Sequence, residues 1–285
     1  MRLSVAFSYF TSLNQATVRP IRLTLFALFI CHVSIAQNYW AKRQAGQNVD
    51  ETLVVVSDPE GNTYSTGYFS TSADINEENL SVNGLTDIFV SKTSLTGETL
   101  WSVSFGGPQS DRGLGITVDN SGNILVCGFF TGTVNFGNDV VLSSDGGQDA
   151  FLLKLDSDGL ALWAVAVGST SNSDRANAVA VDSTGSVAIT GQFSGDASFG
   201  SFNLNASDGS IDAFIVKYDV NGNALWVKHG AAEALERGMA LSFDNEGNVY
   251  AAGQFTGDIT FDNLYENNMF NAIFLVKFSF DGNQE

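Results

Sequence analysis

An all-β repeat fold is what this sequence predicts, and three observations predict it. Tryptophan returns at a near-constant interval, at Trp40, Trp101, Trp163 and Trp226, with spacings of 61, 62 and 63 residues. The last three close one recurring phrase: Gly97-Glu98-Thr99-Leu100-Trp101, Gly159-Leu160-Ala161-Leu162-Trp163 and Gly222-Asn223-Ala224-Leu225-Trp226. The composition is rich in Gly (29) and poor in Pro (3), and only 15% of the residues are charged. Short runs of Val, Ile, Thr and aromatics between Gly, Asn, Asp and Ser clusters favour strands and tight turns over helices. A bulky residue at a steady period marks repeats that seat the same side chain in the same neighbour-made pocket.

The chain opens with residues 1 to 36, which hold Arg2, Arg19 and Arg22 and no acid, and end in a mostly apolar run from Leu23 to Ala36. An arginine-bearing region, a run of about 14 apolar residues and Ser34-Ile35-Ala36 read as a secretory signal peptide cleaved after Ala36. The run is shorter than the roughly 20 apolar residues of a spanning helix, so no membrane insertion is expected after cleavage. Cleavage removes three of 13 basic residues and none of 31 acids, taking the formal charge from −18 to −21. That balance argues against a nucleic-acid partner, which needs a basic footprint. Cys127 is then the only thiol, so an intrachain disulfide is excluded, and its apolar setting reads as core.

From residue 37 on, four units run 40 to 100, 101 to 162, 163 to 225 and 226 to 285, each with four strand-like phrases. The first starts at the Trp and alternates, as in Trp163-Ala164-Val165-Ala166-Val167, the pattern of a half-buried strand. The second ends in Asp58, Asp119, Asp182 or Asp244, each followed three residues on by a Gly. This is a hairpin signal in which the carboxylate caps turn N–H groups. The third carries Gly67, Gly128, Gly191 or Gly253 with a Phe two places later, a glycine expected where another backbone comes close. The fourth begins Asp87-Ile88-Phe89, Asp149-Ala150-Phe151 or Asp212-Ala213-Phe214, with Ala272-Ile273-Phe274 in the last unit. Its near-continuous apolar run predicts a strand covered on both faces.

Four short antiparallel strands per unit of about 61–63 residues read as the blades of a β-propeller. The Asp-Ala-Phe-x-x-Lys, Gly-x-x-x-Leu-Trp, Ser-Asp-Arg and Asp-x-x-Gly-Asn motifs together resemble the bacterial seven-bladed β-propeller (SBBP) repeat family over essentially all of residues 38 to 285. The resemblance implies a secreted or surface-exposed propeller, generally without an assigned activity. Lys92 to Trp101 is also similar to the tryptophan-docking repeats of pyrroloquinoline-quinone propellers. In the dehydrogenases of that group the resemblance implies a vicinal disulfide on the quinone and a nearby Ca²⁺. This chain has one cysteine after residue 36 and too few units for that ring, so the shared phrase reads as shared blade mechanics.

Two arrangements fit four units. If the Asp-ended strand is innermost and the Trp strand outermost, the Trp40 segment completes the last blade and latches a four-bladed closed ring. Alternatively the chain is a fragment of a larger ring, since a Trp falls due one position after Glu285.

The candidate ligand site lies in rim loops after the Trp strands and between the third and fourth phrases, including Thr131 to Gln148 and Ser194 to Ser210. There Asp111-Arg112 and Asp174-Arg175 recur, echoed by Glu236-Arg237 and Asp50-Glu51. They suit an anionic or polar ligand, but repetition in every blade favours inter-blade salt bridges and turn caps. No cofactor is expected. Asp156-Ser157-Asp158-Gly159 is the best stretch for Ca²⁺ but lacks the later acids of a calcium loop. With His229 as the one histidine beyond residue 36, a triad or zinc site would rest on it alone. The function expected is a secreted, non-catalytic binding scaffold for an extracellular glycan or protein. The alternative is an enzyme acting on polysaccharide through rim carboxylates.

Overall fold

The computed structural model describes residues 40–283 apart from 42–43, 46–47, 76–77, 171–173, 207–209, 233–234 and 263. The expected signal peptide, residues 1–36, lies outside the described residues. The fold is all-β, and every named strand ladder is antiparallel.

The strands fall into repeated meanders. A short β1 (Gln44–Ala45) precedes the first unit, whose sheet is β2 (Glu51–Ser57), β3 (Thr63–Phe69), β6 (Asp87–Thr93) and β7 (Thr99–Phe105), with β4 (Ala73–Ile75) and β5 (Glu78–Leu80) as a side hairpin. The second unit runs β8 (Arg112–Val118), β9 (Ile124–Asn135), β10 (Val141–Leu155) and β11 (Ala161–Ser169). In the third, β12 (Arg175–Val181), β13 (Val187–Phe193), β16 (Asp212–Tyr218) and β17 (Ala224–Ala232) repeat the order, with β14 (Asp196–Phe199) and β15 (Phe202–Asn205) as the side hairpin. The fourth has β18 (Arg237–Phe243), β19 (Val249–Phe261) and β20 (Leu264–Phe278). The Asp-ended strands β2, β8, β12 and β18 stand side by side in that order, and the Trp strands β7, β11 and β17 come last in the meanders of the first three units.

The core sits between consecutive sheets. Ile88 and Val90 of the first unit pack with Ile116, Val126 and Phe151 of the second. Leu125, Cys127 and Leu152 meet Ala176, Ile189 and Phe214, and Ala213 and Ile215 meet Val249, Ala251 and Phe274. Each fully buried Leu, Ile or Phe in such a layer contributes about 1.5–3 kcal/mol. In the fourth unit Ile273 and Leu275 stand 86% and 75% exposed, whereas their counterparts Ala150 and Leu152 are fully buried. The sequence pattern is the same, so the difference in exposure is set by what packs on each strand.

The tryptophans clamp one unit to the next. Trp101 Nε1 donates to Ser157 O (3.0 Å), Trp163 Nε1 to Val220 O (3.3 Å) and Trp226 Nε1 to Phe280 O (3.1 Å). The ring lies over the turn glycine of the following unit. A Cβ on Gly222, which has φ +84°, would sit 3.1 Å from the Trp163 ring. Trp40 takes the same place over Gly97 of the first unit. The ladder expected between the Trp40 segment and the last unit is not among those described, where β20 pairs with β19.

The third-phrase glycines permit the close approach the sequence predicts. A Cβ at Gly128 would lie 1.9 Å from Arg112 O, and one at Gly191 1.8 Å from Arg175 O. The Asp-x-x-Gly turns also form as expected. Asp119 Oδ1 accepts from Ser121 N–H and Asn123 N–H, and Oδ2 from the Asn123 side-chain amide. Burial pushes the Asp119 carboxyl up, but these bonds and Lys154 at 3.0 Å outweigh it and hold it below the ordinary range.

One expectation is corrected. The segments 131–148 and 194–210, expected as rim loops, are largely strand. Val134 pairs with Leu142 and Asp196 with Asn205. Alternating side chains put Val134 and Phe136, or Ala197 and Phe199, into the inter-sheet core. Phe136 packs against Phe105 at 5.5 Å and Phe199 against Phe214 at 5.2 Å. The β14 hairpin strand pairs with β11 of the preceding unit, Gly168 facing Ser198. β1 likewise pairs with β4, and β17 with β19.

Candidate functional site

The rim residues singled out by repetition divide into two sets. Asp111 and Asp174 are fully buried turn caps. Asp111 Oδ2 accepts from Gly107 N–H (2.7 Å) and Oδ1 from Thr131 N–H (2.9 Å). Asp174 Oδ2 accepts from the N–H and Oγ of Ser169 (both 2.8 Å), and Oδ1 from Ser194 N–H (2.9 Å). Asp50 does the same for the first unit, accepting from Ser70 N–H at 3.1 Å. The backbone N–H groups of Asp111, Asp174 and Glu236 donate to Thr86, Gln148 and Ile211 O of the preceding unit. These acids therefore knit unit to unit through the backbone. Glu236, one methylene longer, is fully buried, and the Thr256 amide approaches it without reaching hydrogen-bond geometry.

A second acid faces each cap across the junction. Asp87 and Asp212 begin the fourth-phrase strands β6 and β16, Asp149 takes the same place within β10, and all three are buried. Asp87 Oδ2 accepts from Asn83 N–H and Asp149 Oδ2 from Asp145 N–H. Gly106 and Gly168 make room for them, since a Cβ at Gly168 would lie 2.0 Å from Asp149 Oδ2. Burial first, and Asp87 second among the raising causes, push the Asp111 carboxyl up to about 6. Burial, with Asp174 and Asp145, also raises Asp149 to about 6. Burial and then Asp212 raise Glu236 to about 8. The like-charge pairs span the junctions and disfavour double ionisation.

The arginines do not pair with these acids, as the salt-bridge reading expected. Among the described residues, no carboxylate lies within ion-pairing distance of Arg112, Arg175 or Arg237. Each is the first residue of an innermost strand, the place that Glu51 takes in β2. Arg112 stacks on Tyr68 of the preceding unit at 3.9 Å, and Arg175 on Phe129 of its own preceding unit at 4.9 Å. Arg175 Nε and Nη2 donate to Gln148 Oε1 at 3.2 and 2.9 Å. Beside it opens a cavity of about 400 Å³ lined by Leu85, Gln109, Ser110, Thr131, Gln148 and Arg175. The role of Gln148, and the stacking of Arg112 and Arg175 on the preceding unit, have no signature in the sequence. What was readable is the shared third-phrase position of Tyr68 and Phe129.

The other candidates are structural. His229 Nε2 lies 3.9 Å from Asp212 Oδ2, its ring is 6.0 Å from Phe193, and burial keeps its pKa low. Ser210 Oγ donates to Asp212 Oδ1 at 2.7 Å. A hydroxyl held by the carboxylate rather than the imidazole is not the ordering of a nucleophilic triad. Asp156 Oδ1 accepts from the N–H groups of Asp158 and Leu160, capping its turn. Cys127 is fully buried, which raises its thiol pKa, and its Sγ lies 3.5 Å from Ala176 O.

No protein family matches the chain by its sequence profile. An uncharacterized WD repeat-containing protein, L264, of Acanthamoeba polyphaga mimivirus is 29% identical over 191 residues, 58% of this chain and 13% of that protein. The Regulatory protein FlaEY of Caulobacter vibrioides is 32% identical over 117 residues, 40% of this chain and 12% of that protein. The similarity thus spans about an eighth of each relative's length.

Proposed function

We propose that the protein is a secreted or surface-exposed β-propeller of the SBBP type that acts as a non-catalytic binding scaffold. The observation that carries this reading is the side-by-side order of β2, β8, β12 and β18, with one sheet fanning from each. That order is how propeller blades surround an axis. Partial similarity to a WD repeat-containing protein supports it. A rigid β scaffold presents ligands to its rim, and the extracellular ligand, glycan or protein, is placed at the rim where the inner strands begin.

The enzymatic alternative uses rim carboxylates on polysaccharide. Asp111, Asp174 and Glu236 are 0% exposed, so a substrate does not reach them, and this weighs for the scaffold. A glycan array run beside a polysaccharide-turnover screen tests the reading. Binding without product is expected. Turnover abolished by substituting a single rim acid would overturn it.

A further inference from the structure

All three arginines among the described residues converge on one rim of an acidic chain. Arg112, Arg175 and Arg237 open β8, β12 and β18, which are adjacent inner strands. Two guanidiniums are packed face-on against aromatic rings of the preceding unit, which fixes their orientation. Arg175 is held further by Gln148, a neutral acceptor that orients the fork without neutralising it. The Nε groups of Arg112 and Arg237 are buried and have no hydrogen-bond partner. A buried, unanswered donor on a cation is costly unless something fills its place.

The charges are also mutually unfavourable. Burial first, then Arg237 and Arg112, press the Arg175 pKa downward. Elsewhere cations find acids, as Lys154 finds Asp119 and Lys228 finds Asp262 at 2.7 Å. Among the described residues no carboxylate forms an ion pair with this row, and the acid beside it, Glu51, is bonded to Tyr68 instead. Planar forks without a carboxylate, held rigidly beside a polar cavity, are matched to oxyanions by bidentate hydrogen bonding.

We propose that Arg112, Arg175 and Arg237 form a binding site for a multiply charged oxyanion, seated at the inner rim with one acidic group entering the cavity beside Arg175 and Gln148. This rests on the scaffold reading above and supplies the chemistry of its ligand. The oxyanions are carboxylate, sulfate or phosphate groups, borne either by a free small anion or by an acidic glycan.

Titration calorimetry at low salt tests it with sodium citrate, sodium sulfate and oligogalacturonate, beside neutral dextran. Wild-type protein is expected to bind at least one of the anions, and Arg175→Gln or Arg237→Gln to weaken that binding about tenfold or more. Lys228→Gln, a cation away from the row, is expected to leave it unchanged. Citrate or sulfate binding assigns the site to free anions, and binding of oligogalacturonate alone assigns it to a glycan. If Arg175→Gln fails to melt cooperatively, Arg175→Lys replaces it. That variant keeps the charge and loses the fork, and weakened binding with an unchanged melting temperature is expected. No anion binding up to about 10 mM, or equal loss in Lys228→Gln, overturns the proposal. Dextran binding that the arginine variants leave untouched would sink the oxyanion site while leaving the scaffold reading standing.

Discussion

Replacing Glu236 by Gln isolates the effect of one junction acid on stability. Its carboxyl is fully buried beside Asp212 and is pushed up to about 8, against 4.5 for an ordinary glutamate. A raised folded-state pKa means that the native protein holds the proton more tightly than the unfolded chain does. The resulting stability is complete below about pH 4.5 and is lost as pH rises through 8. At about 1.4 kcal/mol per unit, the full difference is near 5 kcal/mol, and relaxation around the charge reduces it to about 2–5 kcal/mol. Asp111 and Asp149, both near 6, add to the same trend between about pH 4 and 6. Carboxyls held low, such as Asp58, Asp119 and Asp244, act below about pH 4, and His229, whose pKa burial lowers, opposes the trend only below its ordinary 6.5. Urea unfolding followed by tryptophan fluorescence from pH 4.5 to 8.5 should show the parent losing stability with rising pH. Glu236→Gln should match it near pH 4.5 and exceed it by about 2 kcal/mol or more above pH 8. A parent that gains stability from pH 5 to 8, or a variant with the parent's slope, would refute the reasoning.

Two further perturbations test how the units are joined. Trp163→Ala removes the indole from over Gly222 and its bond to Val220 O, and should cost about 2–4 kcal/mol in urea titrations; a cost below about 0.5 kcal/mol would place the clamp elsewhere. Leu152→Ala should cost about 2–5 kcal/mol, whereas Leu275→Ala, at the same position of the fourth unit but 75% exposed, should change stability by no more than about 0.5 kcal/mol.

How much was legible in the sequence differs between the repeat and the site. The four-phrase order, the Asp-capped turns and the glycines beneath close backbone contacts were readable because each is enforced by local chemistry. A turn needs its acceptor at a fixed offset, and Gly128 has 1.9 Å between a would-be Cβ and Arg112 O. The hairpins within 131–148 and 194–210 do not read as strands in the sequence because a strand such as β14, four residues long, carries too little alternation to stand out. β14 becomes a strand by pairing with β15 and, over two residues, with β11 of the neighbouring unit.

Sequence alone determined the all-β class, the unit length and which residue of each unit would be its anchor, since period and turn chemistry are properties of the chain read locally. Only the tertiary structure decided what the recurring acid–arginine pairs do. Asp111 and Arg112 are adjacent in sequence, yet Asp111 lies in the turn before β8 and Arg112 is the first residue of that strand. The acid turned inward to cap the junction, and the arginine went to the row that three units build together. The same holds for Ile273 and Leu275, whose apolar pattern matches the buried Ala150 and Leu152 but whose exposure is set by what packs on each strand.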